Sequence, residues 1–283
     1  MKFYDAHNHL QDDRLKPRLD EVMAAAQTES IARMVVNGAS EADWPDVLAL
    51  ARRFPQVIPS FGYHPWYVKE RTARWRENLA VYLEQVPSAI GEIGLDRWIQ
   101  DYDAAEQEEV FLWQLRLAAE WNLPASIHCL RAWGKLLDIL RREPRPACGF
   151  LLHSYGGAPE LIPELTRLGA YFSLPGYCAH ERKARQRETF RHVPADRLLI
   201  ETDAPDQPLP AERNRHPLPE AGGKPVNHPA NLRAVYDFAA ELLGQPVEKL
   251  AEQIEENFLR LFSPEARRTR PGPTAARVPS RAP

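Results

Sequence analysis

Cysteine is scarce: Cys129, Cys148 and Cys178 are the only three in 283 residues, and no two share a C-x-x-C spacing. A disulfide framework is excluded, and reduced buried thiols are expected. Long apolar runs are missing too, which excludes a membrane-spanning helix. The start, Met1-Lys2-Phe3-Tyr4-Asp5, has no signal-peptide pattern. A cytoplasmic protein with no membrane contact is therefore expected. No G-x-G-x-x-G follows the first apolar run and no Walker A pattern occurs, so nothing favours a dinucleotide or nucleotide site. Positive charge is also thin over most of the chain. The net charge is −3, yet residues 266–283 hold five arginines and no acid, which leaves the rest near −8. Such a body does not grip nucleic acid by broad electrostatics, although a small cationic site built from metal ions remains open. Residues 1–265 are read as one domain. Residues 266–283, rich in Pro and Arg, are read as a disordered basic tail.

What is present is an alternation. Short apolar, β-rich runs at 3–6, 33–37, 57–61, 89–93, 125–128, 149–153, 170–173 and 198–201 are separated by stretches of helical period near 14–29, 41–53, 72–85, 103–121, 132–142, 159–168 and 181–192. Two further helices, near 231–243 and 247–262, close the pattern. Strand–helix alternation implies a parallel sheet, and eight units suggest a closed (β/α)8 TIM barrel, with an open doubly wound sheet as the runner-up. The Pro-rich stretch 204–229 reads as a loop over the site rather than a domain boundary.

The unusual polar residues fall at the ends of the runs. In Asp5-Ala6-His7-Asn8-His9 the two imidazoles are two apart, so an extended chain points both to one side. His64, His128, His153 and Asp203 each end or follow a run, and Glu92 lies within one. In a barrel these ends converge on one face. Four of these histidines with the two carboxylates suit zinc, manganese, iron or nickel better than calcium. Six ligands exceed what one catalytic ion takes while keeping an open position. Two ions sharing a carboxylate fit better.

The pieces D-A-H-N-H (5–9), G-Y-H-P (62–65), G-E-I-G-L-D (91–96), S-I-H-C (126–129), L-H-S-Y-G-G (152–157) and E-T-D-A-P (201–205) resemble the TatD family of metal-dependent deoxyribonucleases, within the amidohydrolase superfamily. The resemblance runs from Asp5 to about Phe262. It implies hydrolysis of phosphodiester bonds in DNA by two divalent metal ions, whether zinc, manganese or magnesium. It implies that His7, His9 and Asp203 hold one ion, His128 and His153 the other, and that Glu92 bridges them. His64 matches a family position near the substrate phosphate. No obligate protein partner is implied.

Several roles stay open on the residues alone. Asp203 also suits proton acceptance from the attacking water, and His64 suits either charge stabilisation or a tight loop. Asp96, Arg131 and Tyr155 are candidate substrate contacts, with structural placement as the alternative. Asp5 suits orienting a ligand from behind, with simple hydrogen bonding to the backbone as the alternative. His180, His192 and His216 are expected on the surface. Trp113 and Trp121 are expected in the core, while Trp44, Trp66 and Trp98 lie near strand ends where they could stack on bases, with core or loop anchoring as the alternative for each. Two departures from the family pattern, Arg97-Trp98 after G-L-D and the longer link 206–226 before Asn227-His228-Pro229, put the DNA preference in question. The competing readings are a small-molecule phosphoesterase or amidohydrolase, and an inactive binding or scaffold protein.

Overall fold

The computed structural model describes residues 1–263; the expected tail and the last two residues of the expected domain lie outside them. Eight strands form one sheet in chain order, each parallel to the next: β1 (Phe3–Asn8), β2 (Ile31–Asn37), β3 (Val57–Phe61), β4 (Ala89–Asp96), β5 (Ala125–Leu130), β6 (Phe150–Leu152), β7 (Ala170–Pro175) and β8 (Leu198–Glu201). Helices lie between them: α1 (Leu19–Thr28), α2 (Trp44–Arg53), α3 (Trp75–Gln85), α4 (Ala104–Trp121), α5 (Trp133–Arg142), α6 (Ile162–Arg167) and α7 (Ala184–Thr189). Helices α8 (Leu232–Leu243) and α9 (Val247–Phe262) follow the last strand. This is the (β/α)8 barrel expected from the alternation. The strands are buried almost throughout, as parallel strands covered on both faces must be. Among the described residues no helix is long and apolar enough to cross a membrane.

The ring meets at β1 and β8, and polar groups close that seam. The Asp203 N–H donates to His7 O (2.9 Å) and the His9 N–H to Ala204 O (2.7 Å). The buried Asp5 carboxylate accepts from the Thr202 N–H (3.0 Å) and hydroxyl (2.6 Å). At the other end of the strands, the Tyr236 hydroxyl of α8 donates to Tyr4 O (3.0 Å) and accepts from the Tyr4 N–H (3.1 Å). Asn257 of α9 donates to Leu198 O (2.8 Å). The two extra helices thus brace both strands of the seam, α9 reaching β1 as well through Glu255, which accepts from the Tyr4 hydroxyl (2.5 Å).

Element ends differ from the sequence reading for local reasons. β4 and β5 run on past the apolar residues because their ladder continues through Gly94↔His128, Leu95↔Cys129 and Asp96↔Leu130. α1 starts at Leu19 rather than near residue 14, because Pro17 opens a 3-10 turn first. The expected helix over 181–192 is broken into α7 flanked by 3-10 turns.

Gly94 marks the tightest approach. A Cβ there would sit 2.0 Å from His128 O, so β4 can pass β5 at this point only without a side chain. Gly94→Ala is expected to destabilise the fold by about 1–3 kcal/mol, the usual cost of overpacking. Thermal unfolding should show this as a melting temperature lowered by several degrees; an unchanged transition would contradict the close-packing account.

Candidate metal centre

The strand period of two sets the site. His7 ends the buried face of β1 and His9 follows it on the same side. Glu92 stands mid-β4, His128 on β5, His153 just past β6 and Asp203 just past β8. His64 follows β3. The Glu92 carboxylate is 2 % exposed and lies at the middle. Its Oε2 is 3.3 Å from His7 Nε2 and 3.2 Å from His9 Nε2. Its Oε1 is 2.7 Å from His153 Nε2, 3.1 Å from His128 Nδ1 and 3.3 Å from His64 Nε2. Asp203 Oδ1 is 3.6 Å from His7 Nε2 and 3.7 Å from His9 Nε2. Three sets could hold an ion, with ligand atoms within 4.8 Å of one another: His7 with His9 and Glu92, His7 with His153 and Asp203, and His64 with Glu92 and His128. His153 therefore stands between the two sides, its ring stacked on His7 with centroids 4.0 Å apart.

The outer nitrogen of each ring decides what the inner one offers. His9 Nδ1 lies 2.8 Å from Asn37 O. A carbonyl only accepts, so Nδ1 carries a proton, and in the neutral ring Nε2 is left with the lone pair on the side of Glu92. His128 Nε2 lies 2.9 Å from Asp96 Oδ2, which frees Nδ1 in the same way. His64 is reversed. Its Nδ1 accepts from the Trp66 N–H (3.1 Å), so in the neutral ring Nε2 bears the proton and is a donor into the site. His7 Nδ1 meets Ser126 Oγ at 2.8 Å, a hydroxyl that serves either tautomer. His153 Nδ1 is buried without a hydrogen bond, 3.9 Å from Glu201 Oε1.

The electrostatics follow from burial and from Glu92. Burial lowers the His64 pKa to about 4 and pushes His7 well below its ordinary value. Burial also opposes protonation of His9 and His128, but hydrogen bonds to Glu92, and for His128 to Asp96, outweigh it and raise them to about 10 and about 9. Asp203 and Glu201 rise to about 7 and about 8, chiefly by burial.

Two candidate substrate contacts take the structural alternative. Tyr155 is fully buried, its ring edge-on to Trp133 and Phe172 and its hydroxyl donating to Ala158 O (2.8 Å). Ser154, at φ 46°, turns the chain so that this ring enters the core. Asp96 is also fully buried. It accepts from His128, from the Trp66 indole N–H (2.7 Å) and from the Trp98 N–H (2.6 Å), so its oxygens are spent on positioning. Arg131 is exposed at the end of β5 and makes no ion pair among the described residues. Asp5 grips the seam and the His7 N–H (3.3 Å) rather than an imidazole; the group behind the His7 ring is Ser126. Only His192 of the three expected surface histidines is exposed. His180 and His216 are half-buried, bonded to Pro208 O and Glu29 respectively. Trp44 is core, while Trp66 and Trp98 are exposed.

Ser126, Glu201 and Gln207 were not singled out from the sequence. Ser126 and Glu201 stand two residues before His128 and Asp203, so a search along the same strand face would have found them. Glu201 is buried, takes the Ser154 N–H (2.8 Å) and the Ser173 hydroxyl, and so ties β6 and β7 to β8. Gln207 reaches back from the following turn to Asp203 Oδ2, and no periodicity signals it.

A parallel barrel with a histidine–carboxylate cluster at its C-terminal face defines the class. The sequence pattern of the family described as TatD related DNase matches residues 4–263, and the chain belongs to that family. A Bacillus subtilis (strain 168) protein described as an uncharacterized metal-dependent hydrolase, YabD, is 30 % identical over 92 % of this chain and 98 % of its own length. The protein of Edwardsiella piscicida named 3'-5' ssDNA/RNA exonuclease TatD is 31 % identical over 90 % of this chain and 96 % of its own. The crystal structure of the TatD homolog YjjV from Escherichia coli K12 superposes with a TM-score of 0.83 at 27 % identity, covering 92 % of this chain and 97 % of that one.

In chelator-treated protein between pH 6.5 and 8.5, the raised pKa values of Asp203, Glu201, His9 and His128 mean that the folded state holds more protons than the unfolded one. Stability must then fall as pH rises through that window. Glu201→Gln should flatten the slope by up to about 1.4 kcal/mol per pH unit. Melting curves across the window check this, and a slope that steepens or stays the same in the variant would reject it.

Proposed function

We propose that the protein is a metal-dependent hydrolase that cleaves phosphodiester bonds in DNA, using two divalent ions. The observation that carries this reading is the division of Glu92: one carboxylate oxygen faces His7 and His9, and the other faces His128 and His153. His7, His9 and Asp203 would hold one ion, His128 and His153 the other, with Glu92 shared. The donor set fits. His9 and His128 have their outer nitrogens anchored on acceptors, and the buried His153 Nδ1 is left without a partner. Imidazole and carboxylate together favour zinc or manganese over magnesium. Two such ions, when bound, supply Lewis acidity toward phosphoryl oxygens and acidify water.

The chain's own groups do the rest. His64 Nε2–H donates a hydrogen bond to a phosphoryl oxygen as negative charge builds there; its low pKa keeps it a neutral donor at physiological pH. Asp203, held by Gln207 at Oδ2, accepts the proton of the attacking water. Arg131 meets a flanking phosphate. The Edwardsiella relative's name, an exonuclease of ssDNA and RNA, supports a nucleic-acid strand as the substrate.

The test pairs metal content with turnover. Wild-type protein supplied with manganese, magnesium or zinc is expected to degrade DNA strands. Glu92→Gln keeps the volume and loses the charge. It should bind less metal and lose more than the about 10–100-fold in activity that changes behind a ligand cost. Cleavage of small phosphate esters or amides without any DNA cleavage would sink the substrate assignment. Absence of bound metal in active protein would sink the mechanism.

His64→Ala removes a donor and leaves the proposed ligands untouched. Turnover should drop about 100-fold or more with metal content unchanged, whereas parallel loss of metal would show that His64 is a ligand instead.

A further inference from the structure

Seven large hydrophobic side chains are exposed among the described residues, and four of them, Trp66, Trp98, Tyr102 and Leu130, stand on one rim. That rim is made by the chain leaving β3, β4 and β5, beside the metal centre. Trp66 is 47 % and Trp98 57 % exposed. Neither is loose at its anchor, because both hang on Asp96: the Trp66 indole N–H donates to Oδ2 (2.7 Å) and the Trp98 backbone N–H to Oδ1 (2.6 Å). The same Oδ2 fixes His128 (2.9 Å). The Trp66 ring is edge-on to His64, with centroids 5.1 Å apart, so an indole face begins one ring away from the hydrolytic groups.

Among the described residues, many surface arginines are neutralised by acids, whereas two on this rim are not. Arg14, Arg53, Arg76, Arg116, Arg141 and Arg213 are all paired with acids. Arg97 and Arg131 are exposed and make no ion pair among the described residues. The Arg97 N–H donates to Leu130 O (3.0 Å), which sets Arg97 beside the Leu130–Arg131 corner. Two unpaired guanidinium groups next to two exposed indoles match an anion joined to a flat aromatic ring.

We propose that this rim is a stacking subsite for one unpaired nucleobase next to the scissile bond, with Trp98 and Trp66 taking the ring and Arg97 and Arg131 the adjoining phosphate. The inference rests on the nucleic-acid reading above and narrows it to single strands. A base within a duplex has both faces covered, whereas an unpaired base can lie on an indole. Every base has such a face, so the subsite is indifferent to sequence but sensitive to the loss of a base.

The experiment compares single-stranded oligonucleotides that carry a base or an abasic residue beside the cleaved bond, using metal-loaded enzyme. Wild type should favour the base-bearing strand in kcat/KM by about 10-fold, within the range one stacked base provides. In Trp98→Ala that preference should fall toward unity, and Trp98→Phe should keep most of it. The Trp98 side chain makes no hydrogen bond or ring contact in the described structure, so both variants are expected to fold. Arg131→Ala should lower the salt dependence of KM by about 0.7 in the log–log slope, the release expected of one contact to a single strand. Cleavage of both strands at equal rates, or a preference that survives Trp98→Ala, would overturn the subsite and leave the nuclease reading standing. Failure to cleave any nucleic acid while small esters are hydrolysed would remove the nuclease reading, and the subsite with it.

Discussion

A carboxylate buried among imidazoles sets the terms for one whole face of this barrel. An isolated charge at the depth of Glu92 would be prohibitively costly, so its surroundings must compensate it. Five ring nitrogens within 3.3 Å do so. Without metal, the protons held by His9 and His128 balance the carboxylate. In the proposed holoenzyme the ions replace those protons, and affinity for metal rises with pH because each ligand must first give its proton up. The rigid apolar strands below keep the rings from spreading to relieve the crowding. Burial, charge and coordination are thus one problem with one solution.

The rings themselves are chemically alike, and their surroundings separate them. His9 and His128 lean on acceptors, while His64 leans on a donor, the Trp66 N–H. Once His9 and His128 give up their extra protons, the difference leaves two lone pairs and one N–H facing the centre. Ser126 and Asp96 extend the same logic a layer outward, each meeting a ring from behind. The seam adds a second layer of control, since Asp5 and Thr202 fix how far β8 stands from β1 and therefore where Asp203 lies relative to His7.

How much of this is legible in the sequence depends on range. The barrel and the convergence of His7, His9, Glu92, His128, His153 and Asp203 follow from strand period and strand order, which are local patterns repeated eight times. The tautomers do not, because they depend on partners such as Asn37 for His9 and Asp96 for His128, 28 and 32 residues away. Tyr155 is the instructive failure. It sits two residues from His153, yet a single left-handed residue, Ser154, rotates it into the core. Asp96 takes the structural alternative open to it in the sequence: its lone pairs are already committed to His128, Trp66 and Trp98. Trp66 and Trp98 look like any loop tryptophans until Asp96 is seen holding both.

The seam has a consequence for how the protein comes into being. Glu92 can meet His7 and His9 early, since all three lie in the first third of the chain. Asp203 arrives only with the eighth strand, and it is held in place by a turn that follows it. A chain still emerging from the ribosome, even with six or seven strands made, carries most of the donors and no closed ring. The proposed metal centre is therefore complete only once the eighth strand and the turn after it are in place.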